Sequence, residues 1–400
     1  MLVIGAGIGG LTLALALHHA RIACRVFEAA AEMLPLGVGI NVLPHASAEL
    51  RSLGVLDALE RVAVVTREAA FFNRFGQAVY AEPAGRFAGH DAPQLSIHRA
   101  DLQGVLLAAV RERIGADRVV GGQACVGIDG LDDERACARF RSADGTTSSI
   151  EGAVAVGCDG IHSAVRKQLY PDEGPPRWSG VNMWRGVVPH APFLGGATMV
   201  RAGWLTVGKM VIYPIRDDID GRGTQLVNWV AELQCAEPVT RDWNGRGRLD
   251  DFLPTFADWR FDWLDVPAMI RATDTVLAYP MVDQDPLPRW SFGRATLLGD
   301  AAHPMLQYFA QGACQAMEDA VCLSHMLSQH DDFSAALEAY RTQRFPRTAR
   351  VQMLSRAIGE HIYHPAGEHA RLRNAIMRGK SQEDYFGDLT WLYGGTGLAG

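Results

Sequence analysis

The sequence predicts an α/β fold in which a Rossmann-like domain carries an inserted, mostly antiparallel β-sheet and is followed by C-terminal helices. Three observations support this fold class. The first 28 residues follow the order strand, glycine-rich turn, helix, strand and acid. Helical patterns fade after about residue 175, and alternating strands rich in Trp, Tyr and Val take over until about residue 290. Beyond residue 330 the pattern is helical again. We expect the Rossmann-like domain to comprise 1–70, 96–175 and 289–330, the sheet domain 71–95 and 176–288, and the helical region 331–400.

The N-terminal segment carries the strongest local signal. An apolar strand over 2–4 runs directly into glycines, of which Gly5 permits a tight turn, Gly7 lets the backbone approach a pyrophosphate and Gly10 lets the helix pack on the strand. Glu28 follows 18 residues after Gly10, where an acid can accept ribose hydroxyls. This acid disfavours a 2′-phosphate, so FAD or NAD is predicted rather than NADP, with a plain βαβ unit as the alternative. The phosphate contacts are assigned to Gly5, Gly7, Ile8, Gly9 and Gly10 at the start of the helix.

Composition limits the partners. Hydrophobic residues make up 48% and charged residues 21% of the 400-residue chain, and the formal net charge is −7. These values predict a globular protein and argue against nucleic acid or an anionic membrane as a partner. The seven cysteines form no C-x-x-C pair and no metal-binding spacing, and no secretory signal precedes the first strand. We therefore expect free thiols, a cytoplasmic location and no metal.

Further ligand-facing candidates lie at the ends of later elements. Asp159 and Gly160 follow a buried strand, where α/β proteins place ligand contacts, although an Asx turn or helix cap is the alternative. Asp300 ends a second such strand. Gly39 predicts backbone running against a flat ligand or a simple turn, and Arg99 is either a phosphate contact or a solvated residue at a helix start.

The glycine motif with Glu28, the segment Cys158-Asp159-Gly160 and the segment from Gly299 to Pro304 together resemble the single-component (group A) FAD-dependent aromatic hydroxylases of the para-hydroxybenzoate and salicylate hydroxylase type. The similarity runs over nearly all of residues 1–360, and several segments, among them 37–41 and 226–230, are most similar to the phenazine-carboxylate hydroxylase branch.

The resemblance implies FAD as cofactor and a role for each matched residue. The glycines and Glu28 would hold the ADP part, Arg99 the phosphates or ribityl chain, and Asp300 the ribityl hydroxyls. Gly39 would lie beside the isoalloxazine ring. The remaining contacts would be the backbone near Cys125 to the adenine, Asp159 and Gly160 to FAD or the nicotinamide, and Gly312 and Ala313 to the flavin pyrimidine edge.

The resemblance also implies the reaction. NADH or NADPH, bound transiently, reduces FAD; oxygen then forms a flavin hydroperoxide, whose distal oxygen is transferred to a small aromatic or heteroaromatic substrate carrying a carboxylate or phenol. Two alternatives are a flavin epoxidase or decarboxylating hydroxylase, and a flavin-binding redox sensor without turnover. A monomer or a homodimer is expected.

Three residues are candidates for catalysis. Lys209 and Tyr213 are four apart in a predicted strand of the inserted sheet, so they share one face, and a lysine suits a substrate carboxylate or phenolate. A surface lysine and a core tyrosine form the alternative. Gln307 stands where the family usually has proline, five positions before Gly312. His303 is interpreted as shaping its loop rather than as a base.

Overall fold

The computed structural model describes residues 1–33, 37–239, 246–379 and 389–395. Strands in the first half of the chain are β1 (Leu2–Ile4), β2 (Arg25–Phe27), β3 (Gly39–Val42), β4 (Val64–Thr66), β5 (Glu68–Phe72), β6 (Ala78–Pro83), β7 (Gln94–His98), β8 (Val119–Val120), β9 (Ala124–Asp129), β10 (Ala136–Arg141), β11 (Thr147–Gly152) and β12 (Ala155–Gly157). The second half contributes β13 (Arg177–His190), β14 (Thr198–Trp204), β15 (Gly208–Arg216), β16 (Gln225–Gln234), β17 (Arg260–Phe261), β18 (Leu264–Asp265), β19 (Leu277–Asp283), β20 (Ser291–Phe292) and β21 (Ala295–Leu297).

The α-helices in the described parts of the chain are α1 (Ile8–His19), α2 (Pro44–Ser52), α3 (Leu56–Glu60), α4 (Arg99–Arg113), α5 (Ala164–Leu169), α6 (Val266–Arg271), α7 (Gly312–Gln329), α8 (Phe333–Ile358) and α9 (Gly367–Gly379). Short helical turns join several of them, including Gln307–Phe309 before α7 and Gly359–Tyr363 after α8.

A six-stranded sheet in the order β20-β21-β12-β1-β2-β8 forms the Rossmann-like part. Strand β1 lies between β12 and β2, and all three run parallel, with Val3 opposite both Val156 and Val26. Strand β21 continues the parallel set beyond β12. Because parallel strands end at the same edge, the segments that follow β1, β12 and β21 meet there. The predicted α/β class with a Rossmann-like sheet is confirmed.

The second large sheet has seven strands in the order β19-β13-β16-β15-β14-β5-β6. Only the β14–β5 pair is parallel, so this sheet is mostly antiparallel, as predicted. Side chains alternate between its two faces. One face packs on the aromatic cluster around Phe252, Phe256 and Trp259, and the other faces Tyr308 and Tyr363.

The second face of this sheet places β14 and β15 opposite the segment before α7 and the C-terminal helices. A separate three-stranded sheet has the order β3-β7-β4, in which β7 pairs with β3 on one side and with β4 on the other. No helix among the described residues is both long and apolar enough to span a membrane.

Candidate active site

The glycine-rich turn after β1 depends on close packing. Gly5 has a φ of +106°, and a Cβ built on it would lie 2.4 Å from the carbonyl oxygen of Cys158. A Cβ on Gly10 would lie 2.0 Å from the carbonyl oxygen of Gly5. A Cβ built on Gly7 would meet nothing within 4 Å, so the backbone there faces open space that a ligand can approach. The geometry expected of these three glycines is therefore present.

Helix α1 begins at this turn without a side-chain cap, since its N-cap residue is Gly7. Its first N–H groups therefore favour an anion. Ile8 is buried, and a Cβ on Gly9 would lie 2.9 Å from the Leu298 side chain, so packing also requires a glycine there. The phosphate contact predicted for Ile8 and Gly9 would therefore be made by their backbone N–H groups.

Glu28 lies against the same turn. Its Oε2 accepts a hydrogen bond from the backbone N–H of Ala6 at 2.8 Å, and its Oε1 accepts one from Ala30 at 3.0 Å. The carbonyl of Glu28 accepts a bond from the N–H of Gln123, which brings the segment before Cys125 next to the acid. Burial raises the pKa of the Cys125 thiol to about 11, so this side chain is neutral at pH 7.

Asp159 uses its carboxylate as a helix cap. Its oxygens accept hydrogen bonds from the Ser163 hydroxyl at 2.5 Å and from the Ala164 N–H at 2.8 Å, at the start of α5. The capping alternative therefore describes this side chain. Gly160 has a φ of +73° and open space where a Cβ would project, so its backbone is the accessible part of this segment.

Asp300 and the start of α7 face each other. A Cβ built on Gly312 would lie 3.6 Å from Oδ1 of Asp300. Helix α7, whose first residues are Gly312 and Ala313, has no side-chain cap. The Asp300 side chain is exposed to solvent, but many protein atoms surround it. This crowding raises the pKa of its carboxyl, and the interactions with His303 and Arg99 oppose the shift. A carboxylate that is open to solvent yet surrounded by protein atoms is typical of a cleft.

The turn that carries Asp300 is held from behind by buried charges. Asp319 accepts a hydrogen bond from the Gly299 N–H at 3.0 Å and pairs with His303 and Arg344. Burial opposes ionisation of Asp319, but His303 and Arg344 outweigh it and lower its pKa to about 2. Arg166 donates to the carbonyl oxygens of Ala301 and Ala302. His303 is thus a buried loop-shaping residue.

Gly39 packs closely against the seven-stranded sheet, and its predicted place beside a flat ligand stays a prediction. Its N–H donates to Oδ1 of Asn228 at 2.7 Å, and its carbonyl accepts from Arg185 at 2.9 Å. A Cβ on Gly39 would lie 2.7 Å from the Asn228 side chain and 2.8 Å from Ile215. The missing side chain at position 39 therefore lets β3 dock on β15 and β16.

A cavity of about 840 Å³ lies over the second face of the seven-stranded sheet. Its walls come from β5 and β14 on the sheet, from the segment 308–310 before α7, and from the C-terminal helices. Six of the lining residues are Phe71, Arg201, Tyr308, Ala310, Tyr363 and Arg373. A site of this size is sufficient for a small or medium-sized organic ligand.

Lys209 is buried and paired within the protein. Its Nζ lies 2.7 Å from Oε1 of Glu232, and the same oxygen accepts a hydrogen bond from Nε2 of Gln307 at 3.1 Å. The Lys209 ammonium also lies 4.4 Å from the ring centroid of Tyr363 and 5.4 Å from that of Tyr308. Burial lowers the pKa of Lys209, and Glu232 opposes the shift. Lys209 is therefore not a surface residue, and its ammonium is already paired with a carboxylate of the protein.

Tyr213 lies on the same face of β15 but in a different contact group. It is buried beside Met199 and Ile215 and hydrogen-bonds with Arg185 and Asn41. Burial raises the pKa of the Tyr213 phenol. The structure therefore joins Lys209 to Gln307 through Glu232, and places Tyr213 with the residues around Gly39.

Comparison with known proteins identifies the family. The FAD binding domain family matches residues 1–195 and 276–355. A phenazine 1,6-dicarboxylic acid hydroxylase from Lysobacter antibioticus is 44% identical over 364 residues, covering 89% of each chain. A 3-hydroxybenzoate 6-hydroxylase from Aquipseudomonas alcaligenes is 34% identical over 98% of this chain and 97% of its own. The chain belongs to the FAD-dependent aromatic hydroxylases.

Solved structures agree with this family. The hydroxylase superposes on Klebsiella pneumoniae HpxO, solved with FAD and uric acid, with a TM-score of 0.81 at 25% identity, covering 100% of this chain and 96% of HpxO. A salicylate hydroxylase in a substrate complex shares the fold, with a TM-score of 0.76 at 24% identity, covering 100% of this chain and 97% of the other. The predicted family, its FAD cofactor and its use of NAD(P)H are confirmed.

FAD fits the residues that this hydroxylase provides. The starts of α1 and α7 both lack a side-chain cap, and space is open beside Gly7 and Gly160. Asp300 supplies an accessible acid beside the start of α7. These features suit a long dinucleotide cofactor whose central phosphates bind at one helix start and whose polar ring edge binds at the other. The individual contacts remain predictions.

Several residues of the site carry no local sequence signal. Gln103 donates to the carbonyl oxygen of Ala6 at 2.8 Å and holds the glycine turn of the hydroxylase. It lies one turn after Arg99 on α4, a spacing that indicates a shared helix face. Glu232 could have been noticed as the one charged residue of strand β16. Arg373 lies far along the chain from every motif, so no sequence pattern gave a reason to select it.

Proposed function

We propose that this hydroxylase adds one oxygen atom to a flat aromatic or heteroaromatic acid or phenol bound in the cavity over the seven-stranded sheet. The cavity is the observation that carries the proposal, because its wall includes Tyr308 to Ala310, the residues directly before the α7 start. A ring in this cavity would thus lie next to the segment assigned to the flavin. The relatives act on a phenazine dicarboxylic acid and a hydroxybenzoate, which supports a carboxylated aromatic substrate.

Bound FAD would supply the redox and oxygen-transfer chemistry, with NADH or NADPH as the reductant and O2 as the oxidant. The predicted contacts are the α1 start and Glu28 for the ADP part, Asp300 for the ribityl chain, and the α7 start for the ring. The protein would bind the substrate in a mainly apolar cavity, with aromatic rings in its wall, that keeps water away from the reacting atoms. The nicotinamide would bind transiently, and a cytoplasmic monomer or homodimer remains our prediction.

The hydrogen bond from Gln307 to Glu232 gives Gln307 a defined function. The amide nitrogen is occupied by the carboxylate, so the amide oxygen is left as an acceptor. A phenolic hydroxyl on the substrate could donate to that oxygen. Lys209, which pairs with the same carboxylate, would hold Glu232 in place. Lys209 and Glu232 would therefore be positioning residues for Gln307, which directly precedes the cavity-lining residues Tyr308 to Ala310 and would contact a substrate that reaches beyond them.

The test uses the FAD-loaded hydroxylase and a panel containing 3-hydroxybenzoate and phenazine 1,6-dicarboxylate. We expect at least one aromatic acid to accelerate NAD(P)H oxidation and to give a product heavier by one oxygen atom. Loss of carbon dioxide from the product would instead identify a decarboxylating hydroxylase. The proposal fails if no aromatic acid accelerates NAD(P)H oxidation.

A pair of tryptophan variants on α8 locates the substrate. Ala357 lines the cavity, whereas Gln343 is exposed on the same helix. Ala357→Trp is expected to abolish stimulation by substrate while FAD content stays unchanged, and Gln343→Trp is expected to behave like the unmodified enzyme. Equal behaviour of both variants would place the substrate elsewhere.

A further inference from the structure

We propose that Arg373 on α9, together with Arg201 on β14, forms the subsite that binds the carboxylate of the substrate. This inference rests on the proposed function, and it assigns the anion to the C-terminal helix rather than to the sheet lysine. Lys209 is not available for that role, because its ammonium already meets the Glu232 carboxylate at 2.7 Å. The acid of a substrate needs another cation.

Arg373 is buried in the cavity wall. Its residue is 5% exposed, and its guanidinium carbon lies 3.4 Å from the ring centroid of Trp204. Its Nη1 donates to the carbonyl oxygen of Ile362 at 2.8 Å, while its Nε and Nη2 share the amide oxygen of Asn374. These bonds use three of the five N–H donors, so one N–H remains on each terminal nitrogen.

No carboxylate forms an ion pair with Arg373 among the described residues. Its hydrogen-bond acceptors are neutral. Burial lowers its pKa to about 10, which reflects the cost of a cation without a nearby anion. An arginine with two free donors, buried in a cavity wall, matches the two oxygens of a carboxylate.

Arg201 and Arg373 both line the cavity, and two stacked aromatic rings lie between them. Its guanidinium carbon is 4.7 Å from the ring centroid of Phe71, and the Phe71 ring stacks on Trp204 with centroids 6.3 Å apart. Burial raises the pKa of the Tyr363 phenol to about 12, the carboxylates of Glu232 and Glu82 add to the rise, and the charges of Arg201 and Arg373 oppose it. Both arginines therefore act electrostatically on the same cavity-lining tyrosine.

The charge of the whole cavity wall agrees with an anionic ligand. Its formally charged lining residues are the cations Arg201, Arg350 and Arg373 and the anion Glu82. The chain as a whole has a net charge of −7, so this excess of cations is local. Arg373 also lies beyond the two segments that match the FAD binding domain family, where a residue can determine specificity without altering the cofactor site.

Binding of matched acid and amide pairs to the oxidised, FAD-loaded enzyme tests the subsite. The pairs are 3-hydroxybenzoate with 3-hydroxybenzamide, and phenazine 1,6-dicarboxylate with its diamide. Kd is read from the change in the flavin absorption spectrum without adding NAD(P)H. The unmodified enzyme should prefer the acid in at least one pair, and Arg373→Gln should weaken acid binding roughly 10-fold to 100-fold while leaving the amide unchanged.

Two further variants separate charge recognition from a structural role. Arg373→Lys keeps the positive charge and should retain part of the preference for the acid. Arg371→Gln, on the exposed side of the same helix, should retain all of it. A preference that survives Arg373→Gln, or its absence from the unmodified enzyme in both pairs, overturns the subsite.

Turnover distinguishes failure of the subsite from failure of the proposed function. An acid that binds through Arg373 but is never oxygenated supports the subsite and contradicts the hydroxylase proposal. If an acid is oxygenated but its preference over the amide is the same in the Arg373→Gln variant, the hydroxylase proposal is supported and the subsite is contradicted.

Discussion

The cofactor part and the cavity part of this hydroxylase are built in different ways. The glycine turn, the first residues of α1 and Glu28 all come from 28 consecutive residues. The cavity instead combines β5 and β14, the segment before α7 and the C-terminal helices, so that lining residues from Ala69 to Met377 are brought together. One region depends on local backbone geometry and the other on long-range packing. Substitutions should therefore affect them separately.

The largest expected effect is on the cofactor part. Gly10→Ala places a Cβ 2.0 Å from the carbonyl oxygen of Gly5, and a backbone carbonyl cannot move without moving the turn. We expect a cost above the ~3 kcal/mol of ordinary overpacking, and protein that is purified without FAD. Flavin absorbance per protein measures this. Gly104→Ala on α4, where a Cβ meets nothing within 4 Å, is the control and should keep its FAD.

The second prediction concerns the buried pair below the cavity. Glu232→Gln leaves the buried Lys209 ammonium without a counter-charge, which should lower the free energy of unfolding by about 3 kcal/mol in urea denaturation. Adding Lys209→Met should recover part of the loss. The same change in the exposed pair, Glu151→Gln, should cost less than about 1 kcal/mol. Equal effects at positions 232 and 151 would show that the pair is not buried.

The third prediction uses pH to test the charges behind the Asp300 turn. The pKa of Asp319 is about 2 in the folded protein, below its usual value, so its ionised form stabilises the fold above about pH 4 and this contribution disappears as pH falls toward 2. Asp319→Asn should therefore be about 2 kcal/mol less stable at pH 7. Urea denaturation across pH 7 to 2 should show that difference shrinking below pH 4. A constant difference would contradict the ion pairs.

The smallest expected effect is at the boundary between the two regions. Gln307→Pro introduces the usual family residue and removes the hydrogen bond to Glu232, a contact worth about 1.5 kcal/mol. FAD content should not change, but a larger share of NAD(P)H should be oxidised without product, since the substrate hydroxyl loses its acceptor. Unchanged coupling between NAD(P)H use and product would make this contact irrelevant to turnover.

The sequence predicted most of the cofactor region because its requirements are local. Gly5 needs a positive φ and Gly10 needs close packing, and both follow from a strand–turn–helix order that is visible in a few residues. The seven-stranded sheet was predicted from alternating strands. Asp159 was less certain, since a carboxylate after a strand can bind a ligand or cap the next helix, and here it caps.

The cavity could not be predicted to the same degree. The sequence predicted Lys209 as a substrate-facing residue but not its partner, because Glu232 is 23 residues away and meets it only through the register of β15 and β16. Arg373 belongs to a helix whose packing is determined by residues from all parts of the chain. Side chains brought together by tertiary packing leave no spacing to recognise.

The most direct test is a crystal structure of the hydroxylase with FAD and an aromatic acid that it binds. We predict that the ADP part of FAD lies along Gly7 and Glu28, that the flavin ring lies at the start of α7, and that the acid lies in the cavity with its carboxylate on Arg373. A flavin bound away from these two helix starts, or an acid bound outside the cavity, would contradict the account.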